Sequence, residues 1–455
     1  MSFVSLAVLL GFAGAVLGNI AGVVPGLTAL TMMSIVLPIS FMFHDPILAL
    51  VFLAAIYCGS AYGETLSSAI SKVPGEISMA VINNDVWDFA QKNQTPRILS
   101  ISTISSFISS IASLLPLIGL CVLFVSSPSL FSFSPLTITI LLFIAIGLQV
   151  RTHTKNKRKN AMSLCFGALL GCVGVYQGIE GVIGESTTRF MFGFHTSDFV
   201  SVPIIGIAFF GVLTSLQMLY GDKITSLPLV QATKIKYTSK IREAISLFPR
   251  RAVWPTLRGS VIGWVCGIVP GVHTMVATTI SYTTEHLFRP SKINKIASVE
   301  AANNSHHTSS YVPFMLMGIP TNIMMSLILS SFLVNGATPG INFIHNHLDG
   351  VIIFLCSLAA VNVFLLISNI KLVKLWIKVL YIPKVYIYSF TLLASLIAVY
   401  IINQNFVDII YVGAWTLIGA LLCRYEFNLM GIIVGLIIGP LIEENLQRAL
   451  ILAGL

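Results

Sequence analysis

Four prolines interrupt long apolar runs in this sequence: Pro25-Gly26, Pro74-Gly75, Pro270-Gly271 and Pro320-Thr321. Proline removes a backbone donor and steers the residue before it away from helical dihedrals, while glycine adopts conformations other residues avoid. Each pair therefore predicts a helix that stops and restarts. Freed amides at a restarted helix N-terminus carry about half a positive charge and can hold a carboxylate without lysine or arginine. Broken backbone at membrane depth is tolerated only where it lines a cavity enclosed by protein. The four breaks are thus expected to converge on a substrate site, and the competing reading is a set of structural kinks with no ligand.

Polar groups cluster beside the breaks. Thr28, Ser60, Thr65, Ser67, Ser68 and Ser71 accompany the first two, and Thr274, Asn303, Asn304, Ser305, Thr308, Ser309 and Ser310 the second two. Amide and hydroxyl oxygens suit a hard cation, so Asn303, Asn304 and Ser305 are candidate Na⁺ ligands, with donors nearby for a carboxylate. A lone serine or threonine in such a helix commonly bonds its own backbone instead. Charged groups at depth cost about 2.5 to 3.5 kcal/mol each on insertion scales and need reasons. Glu64 precedes Pro74, and Lys72 and Glu76 flank it, so Lys72 either binds a substrate carboxylate or pairs with Glu76. His273 follows Pro270-Gly271, and His306-His307 follow the asparagine pair; these are proton-coupling groups or structural histidines. His306-His307 with Glu300 lacks His-Glu-x-x-His spacing, and the seven cysteines form no Cys-x-x-Cys pair, so a metal or redox centre is not indicated.

The elements that carry these residues must be membrane helices. The 455 residues are 56% hydrophobic and 9% charged, with too little polar surface for a soluble globule. Uncharged apolar stretches of about 20 residues recur on the order of ten times, and none alternates as a barrel strand does. The fold class is therefore all-α and polytopic, roughly 10 to 12 helices. No basic region precedes the first apolar run, so residues 3 to 22 are expected to remain a membrane segment. The net charge of +9 lies in loops, with Arg151, Lys155, Lys157, Arg158 and Lys159 in one and eight more between Lys223 and Arg258 in another. This pattern marks cytoplasmic loops and speaks against nucleic acid.

The chain also repeats. Gly18-Asn19-Ile20-Ala21-Gly22-Val23-Val24-Pro25-Gly26-Leu27 recurs as Gly263-Trp264-Val265-Cys266-Gly267-Ile268-Val269-Pro270-Gly271-Val272, and Val73-Pro74 as Ile319-Pro320. No lysine or arginine precedes Lys72, whereas basic residues run up to the second copy, which predicts inverted topology. The expected division is a first repeat over 1–160, two connecting spans over 161–221 with an external loop around Glu180 to Asp198, a basic cytoplasmic linker over 222–256, and a second repeat over 257–455. Apolar runs near 350 to 370, 385 to 403, 406 to 422 and 428 to 442 continue that second repeat.

The stretches Gly18 to Leu27, Tyr57-Cys58-Gly59-Ser60-Ala61-Tyr62-Gly63, Pro74-Gly75, Thr188 to Gly193, Gly263 to Gly271, Glu300-Ala301-Ala302-Asn303-Asn304, Pro313 and Gly318-Ile319-Pro320 together resemble the large membrane subunit of the tripartite tricarboxylate transporters. The resemblance implies a cation-coupled importer of carboxylates, typically driven by Na⁺; the expected substrate is a carboxylate or related small organic anion, with Na⁺ or H⁺ as the coupling ion and no other cofactor. Its implied partners are a small membrane subunit and a periplasmic solute-binding protein, in a bacterial inner membrane or an archaeal membrane. Glu64 stands where that family usually has glycine, Thr321 where it has glycine, and His306 and His307 where it has small residues; Asn83-Asn84-Asp85 replaces an acidic-glycine turn. Two other classes stay in view, a channel-like or structural membrane subunit and an intramembrane enzyme, although no Gly-x-Ser-x-Gly or metal spacing supports the latter.

Overall fold

The structure is a computed structural model that describes residues 2–24, 27–127, 134, 136–137, 139–140, 142–144, 147, 157–172, 174–176, 187–189, 200–220, 237–288, 291–379, 384–403 and 405–452. Pro25, Gly26, Arg151, Lys155, most of the Glu180 to Asp198 loop and the linker up to residue 236 lie outside the described residues.

In chain order the helices are α1 (Phe3–Val23), α2 (Ala29–Phe41), α3 (Pro46–Ser71), a 3-10 segment (Ile77–Ile82), α4 (Asn83–Gln91), α5 (Thr95–Ser126) and α6 (Lys157–Gly171). After a two-stranded antiparallel ribbon, β1 (Gly174–Tyr176) and β2 (Thr187–Arg189), come α7 (Val202–Gly206), a π-helical stretch (Ile207–Leu213) and α8 (Thr214–Tyr220). The remainder is α9 (Ile241–Leu247), α10 (Val253–Ile268), α11 (Thr274–Phe288), α12 (Lys292–Ser309), α13 (Tyr311–Met317), α14 (Ile323–Val334), α15 (Ile341–Asn346), α16 (Leu348–Lys371), α17 (Val373–Val379), α18 (Lys384–Asn403), α19 (Val407–Arg424) and α20 (Leu429–Leu452).

Among the described residues, five helices are long and apolar enough to cross a membrane: α1, α3, α5, α16 and α19. They are not equivalent in position. The apolar window of α3 is 94% buried and that of α19 28%, which places α3 in the protein interior and α19 at the lipid boundary. Helix α12 is too polar to register as a span, yet every residue from Ile293 to Ser309 is buried. A polar helix enclosed in this way must satisfy its side chains against other helices.

Glycines decide how the first pair of helices meets. A Cβ on Gly14, Gly18 or Gly22 of α1 would lie 2.4, 2.1 or 2.0 Å from the carbonyl oxygens of Phe52, Ile56 and Ser60 on α3. The two helices therefore touch backbone to backbone and run parallel, the close approach that small residues every fourth position permit. Glycines 259, 263 and 267 of α10 stand in the same way, 2.0, 2.2 and 2.4 Å from the carbonyl oxygens of Ser298, Ala302 and His306. A third parallel pair, α6 with α20, uses Gly167, Gly171, Gly435 and Gly439.

The sequence repeat is thus a repeat of structure. Helices α1, α2 and α3 correspond to α10, α11 and α12–α13, and α3 over 46–71 matches 292–317. Lys72 and Gly318 both end their helices in the left-handed region, at φ 60° and 66°, two residues before Pro74 and Pro320; each counterpart lies 246 positions on (318 less 72). The packing between units is reciprocal. Helix α2 meets α14, where Ser40 and Ser331 hydroxyls are 2.8 Å apart, and α11 meets the 3-10 segment, where Thr278 Oγ1 donates to the Ser78 carbonyl at 2.8 Å. Polar clasps close the ends: Lys292 pairs with Asp85 and Asp88 of α4, and Arg258 with the fully buried Glu285 carboxylate. The Lys292 hydrogen bond holds the Asp88 carboxyl below its ordinary value.

Candidate functional site

Helices α3 and α12, counterparts in the two units, cross each other antiparallel. Thr65 donates to Glu300 Oε1, Asn303 Nδ2 donates to Glu64 Oε2 at 3.1 Å, and the Tyr57 and His307 rings stack with centroids 3.8 Å apart. Numbering falls on one helix as it rises on the other. All these groups are buried, and Ser106 adds a second hydroxyl to Glu300 at 3.3 Å.

Two breaks of the second unit close onto this crossing. The Gly271 N–H donates to the Thr321 carbonyl at 3.0 Å, which joins Pro270-Gly271 directly to Pro320-Thr321. Gly271 at φ 84° makes the turn in the left-handed region, which a side chain would strain. His306 locks it: one ring nitrogen lies 2.8 Å from the Val272 carbonyl and the other 3.1 Å from Thr274 Oγ1. The carbonyl only accepts, so Nε2 carries the proton and the Thr274 hydroxyl donates to Nδ1. Asn322 caps α14 by accepting from the Met325 N–H at 3.0 Å, and its amide donates to Ser310 Oγ and Tyr57 OH at 3.2 and 3.3 Å. The described break of the first unit, Pro74-Gly75, packs against α1 and α3. A Cβ on Gly75 would meet the Gly22 carbonyl oxygen at 2.3 Å and Glu64 Cα at 2.9 Å, and the Glu76 carboxyl lies beside Glu64.

Several residues singled out by sequence also bond within the helical frame. Thr28 caps α2, its hydroxyl accepting from the Thr31 N–H at 3.3 Å. The Ser60 and Ser309 hydroxyls donate to the carbonyls of Tyr57 and His306 on their own helices. Asn304 donates to the Glu300 carbonyl, and Ser305 donates to the Ser260 carbonyl and meets Ser113. Ser71 closes α3, and Pro74, Pro270 and His273 are half-buried whereas Gly75, Pro320 and Thr321 are buried. Lys72 is exposed, and the ion pairs among the described residues do not include Lys72 with Glu76; Ser78 donates to Glu76 instead. The expected pairing assumed an unbroken helix, but α3 ends at Ser71 and Lys72 turns into the left-handed region, so the two are no longer one turn apart.

Other polar atoms in this core make no protein hydrogen bond: Glu64 Oε1, Asn303 Oδ1, both ring nitrogens of His307, Tyr311 OH, Ser68 Oγ and both amide atoms of Asn19. Asn303, His307 and Tyr311 are spaced four apart and share one face of α12–α13. Sequence reasoning missed Tyr57, Asn19, Tyr311 and Asn322 and left His307 undecided. The four-residue spacing on a helix too polar for its burial was the available signal.

Fold and site define a polytopic all-α membrane protein whose two related helical units enclose a polar core at their interrupted helices. The chain belongs to the tripartite tricarboxylate transporter TctA family, whose model matches residues 8–434, and is therefore a component of that class of transporter. An uncharacterized 52.8 kDa protein in the TAR-I ttuC' 3'region of Agrobacterium vitis is 28% identical over 452 residues, 97% of this chain and 86% of the relative. An uncharacterized protein in the TAR-II ttuC' 3'region of the same organism is 30% identical over 198 residues, 42% of this chain and 82% of the relative. No solved structure matches.

Proposed function

We propose that the chain is the substrate-conducting subunit of a secondary transporter that imports a carboxylate or related small organic anion together with a cation, Na⁺ in the first instance and H⁺ as the other candidate. The observation that carries this reading is the buried polar core between α3 and α12–α13. Glu64 and Glu300 are buried there, with the half-buried Glu76 beside Glu64, and among the described residues no lysine or arginine bonds to any of them. An anion entering a carboxyl-lined, water-poor core meets a large desolvation cost unless a cation or proton enters with it. Unpartnered oxygens of Glu64 and Asn303 suit a hard cation, and the interrupted helices beside them supply backbone dipoles for the anion.

The antiparallel crossing of counterpart helices supports an inverted-topology arrangement, with repeats over 1–160 and 257–455, connecting spans over 161–221 and a basic cytoplasmic linker over 222–256. Alternating access would then expose the core to each side in turn. A small membrane subunit and a periplasmic solute-binding protein complete the transporter, in a bacterial inner membrane or an archaeal one.

Uptake into proteoliposomes under an imposed Na⁺ or proton gradient tests the reading. Accumulation of a radiolabelled tricarboxylate above equilibrium, abolished when the gradient is collapsed, is expected. Equilibration alone would mean a channel-like subunit, and neither would reject transport by this chain.

A further inference from the structure

The unpartnered groups on the shared polar face are not chemically alike. The Asn303 amide nitrogen donates to Glu64 Oε2, whereas its oxygen, Oδ1, has no partner; Glu64 leaves Oε1 without one. Both are acceptors. One and two helical turns further on, His307 and Tyr311 hold an N–H and an O–H with no acceptor. His307 is fixed in orientation by its stack on Tyr57, 3.8 Å between centroids and 20° between planes, and Tyr311 by its edge contact with Phe354 at 5.3 Å. The acceptor and donor ends are separated by up to about 12 Å along α12–α13 at 1.5 Å per residue.

From this division we propose that the core contains two subsites: Asn303 Oδ1 with Glu64 Oε1 takes the coupling cation, and His307 with Tyr311 takes a carboxylate group of the substrate. The assignment rests on the carboxylate-transport reading above and deepens it. A hard cation selects the oxygen end, since an N–H or O–H hydrogen repels it. A carboxylate selects the donor end, where two fixed donors replace water and where its distance from Glu64 lowers repulsion. His306, its neighbour in sequence, takes no part, because both its nitrogens are already bound.

The full chain, purified in detergent, is titrated calorimetrically with succinate and with citrate at fixed NaCl, and its thermal midpoint is followed with NaCl alone. His307→Gln and Tyr311→Phe are each expected to weaken acid binding at least tenfold while the midpoint still rises with Na⁺ as in the unaltered chain. Asn303→Ala is expected to lose the Na⁺ response. Unchanged acid affinity in both His307→Gln and Tyr311→Phe overturns the donor subsite, and parallel loss of Na⁺ and acid responses in all three variants overturns the division. Should His307→Gln fail to fold, Tyr311→Phe, which removes one oxygen, decides alone. Failure of the unaltered chain to bind either acid, with or without Na⁺, would reject the carboxylate reading itself and this assignment with it.

Discussion

The two repeated units share a frame and differ in how that frame is finished. Both seat a parallel helix pair on three glycine notches, and both end their central helix in the left-handed region two residues before a proline. In the second unit the broken segments are then tied together, Gly271 to Thr321, His306 to Val272 and Asn322 to Tyr57. In the first, the counterpart of Asn322 is Glu76, which caps nothing, and the counterpart of Gly318 is the exposed Lys72. Backbone geometry is thus common property of the repeat, whereas the side-chain ties differ between copies: in the first, Ser67 donates to the Val73 carbonyl at 2.9 Å and Asn83 to the Lys72 carbonyl at 2.8 Å, and in the second His306 and Asn322 hold the breaks.

The strongest way to break that comparison is at the shared frame. Gly18→Val and Gly263→Val should each cost more than about 3 kcal/mol, because either adds a side chain where a carbonyl oxygen already stands. Folded yield by fluorescence-detected size exclusion should collapse in both, while Gly119→Ala on α5, with nothing within 4 Å, should be neutral or gain up to about 1 kcal/mol. A collapse in one unit alone would show that the frame is not shared equally.

The second unit's ties come next. Arg258→Ala strands the buried Glu285 carboxylate and should cost about 2 kcal/mol, less than a fully enclosed pair because the arginine is 38% exposed; adding Glu285→Gln should restore much of the loss in thermal midpoint. Asn322→Ala removes a helix cap and should cost about 1 to 2 kcal/mol, whereas Glu76→Asp in the first unit should change stability by less than about 1 kcal/mol. Lys72→Gly should stabilise by about 0.5 to 1 kcal/mol by relieving a left-handed residue. Gly318→Ala should do the opposite by at least as much, since its Cβ would also lie 2.9 Å from the Pro339 carbonyl oxygen.

The smallest effect concerns pH. Asp88 has its carboxyl lowered in the folded state by Lys292, so its contribution is complete above the ordinary carboxylate range and disappears as pH falls through the lowered value. A thermal-midpoint difference between the unaltered chain and Asp88→Asn should therefore be present at neutral pH and vanish in acid.

What could be read from the residues follows from which signals are local. Membrane helices, the repeated Gly-x-x-x-Gly run and the proline breaks are properties of single segments, and hydropathy and spacing expose them. The apolar runs near 350 to 370, 385 to 403, 406 to 422 and 428 to 442 correspond to α16, α18, α19 and α20. Helix α12 was the hard case, because its burial comes from neighbours and not from its own polarity. Adjacent histidines on a helix point to different faces, so the pair had to split; whether His306 or His307 found partners depended on Val272 and Thr274, which another helix start brings there. Lys72 and Glu76 looked like a helical pair only while the helix was assumed to continue.

The glycine notches carry a consequence for how such a chain can diverge. Every single-base change in a glycine codon that alters the amino acid adds at least a Cβ, and at Gly18, Gly22, Gly263 and Gly267 that atom would be driven into a neighbouring carbonyl or its chain. These positions have no harmless neighbours in the genetic code. Residues one step along the same helix do not sit in the notches, and there the two copies differ, Asn19 in one standing at the position of Trp264 in the other.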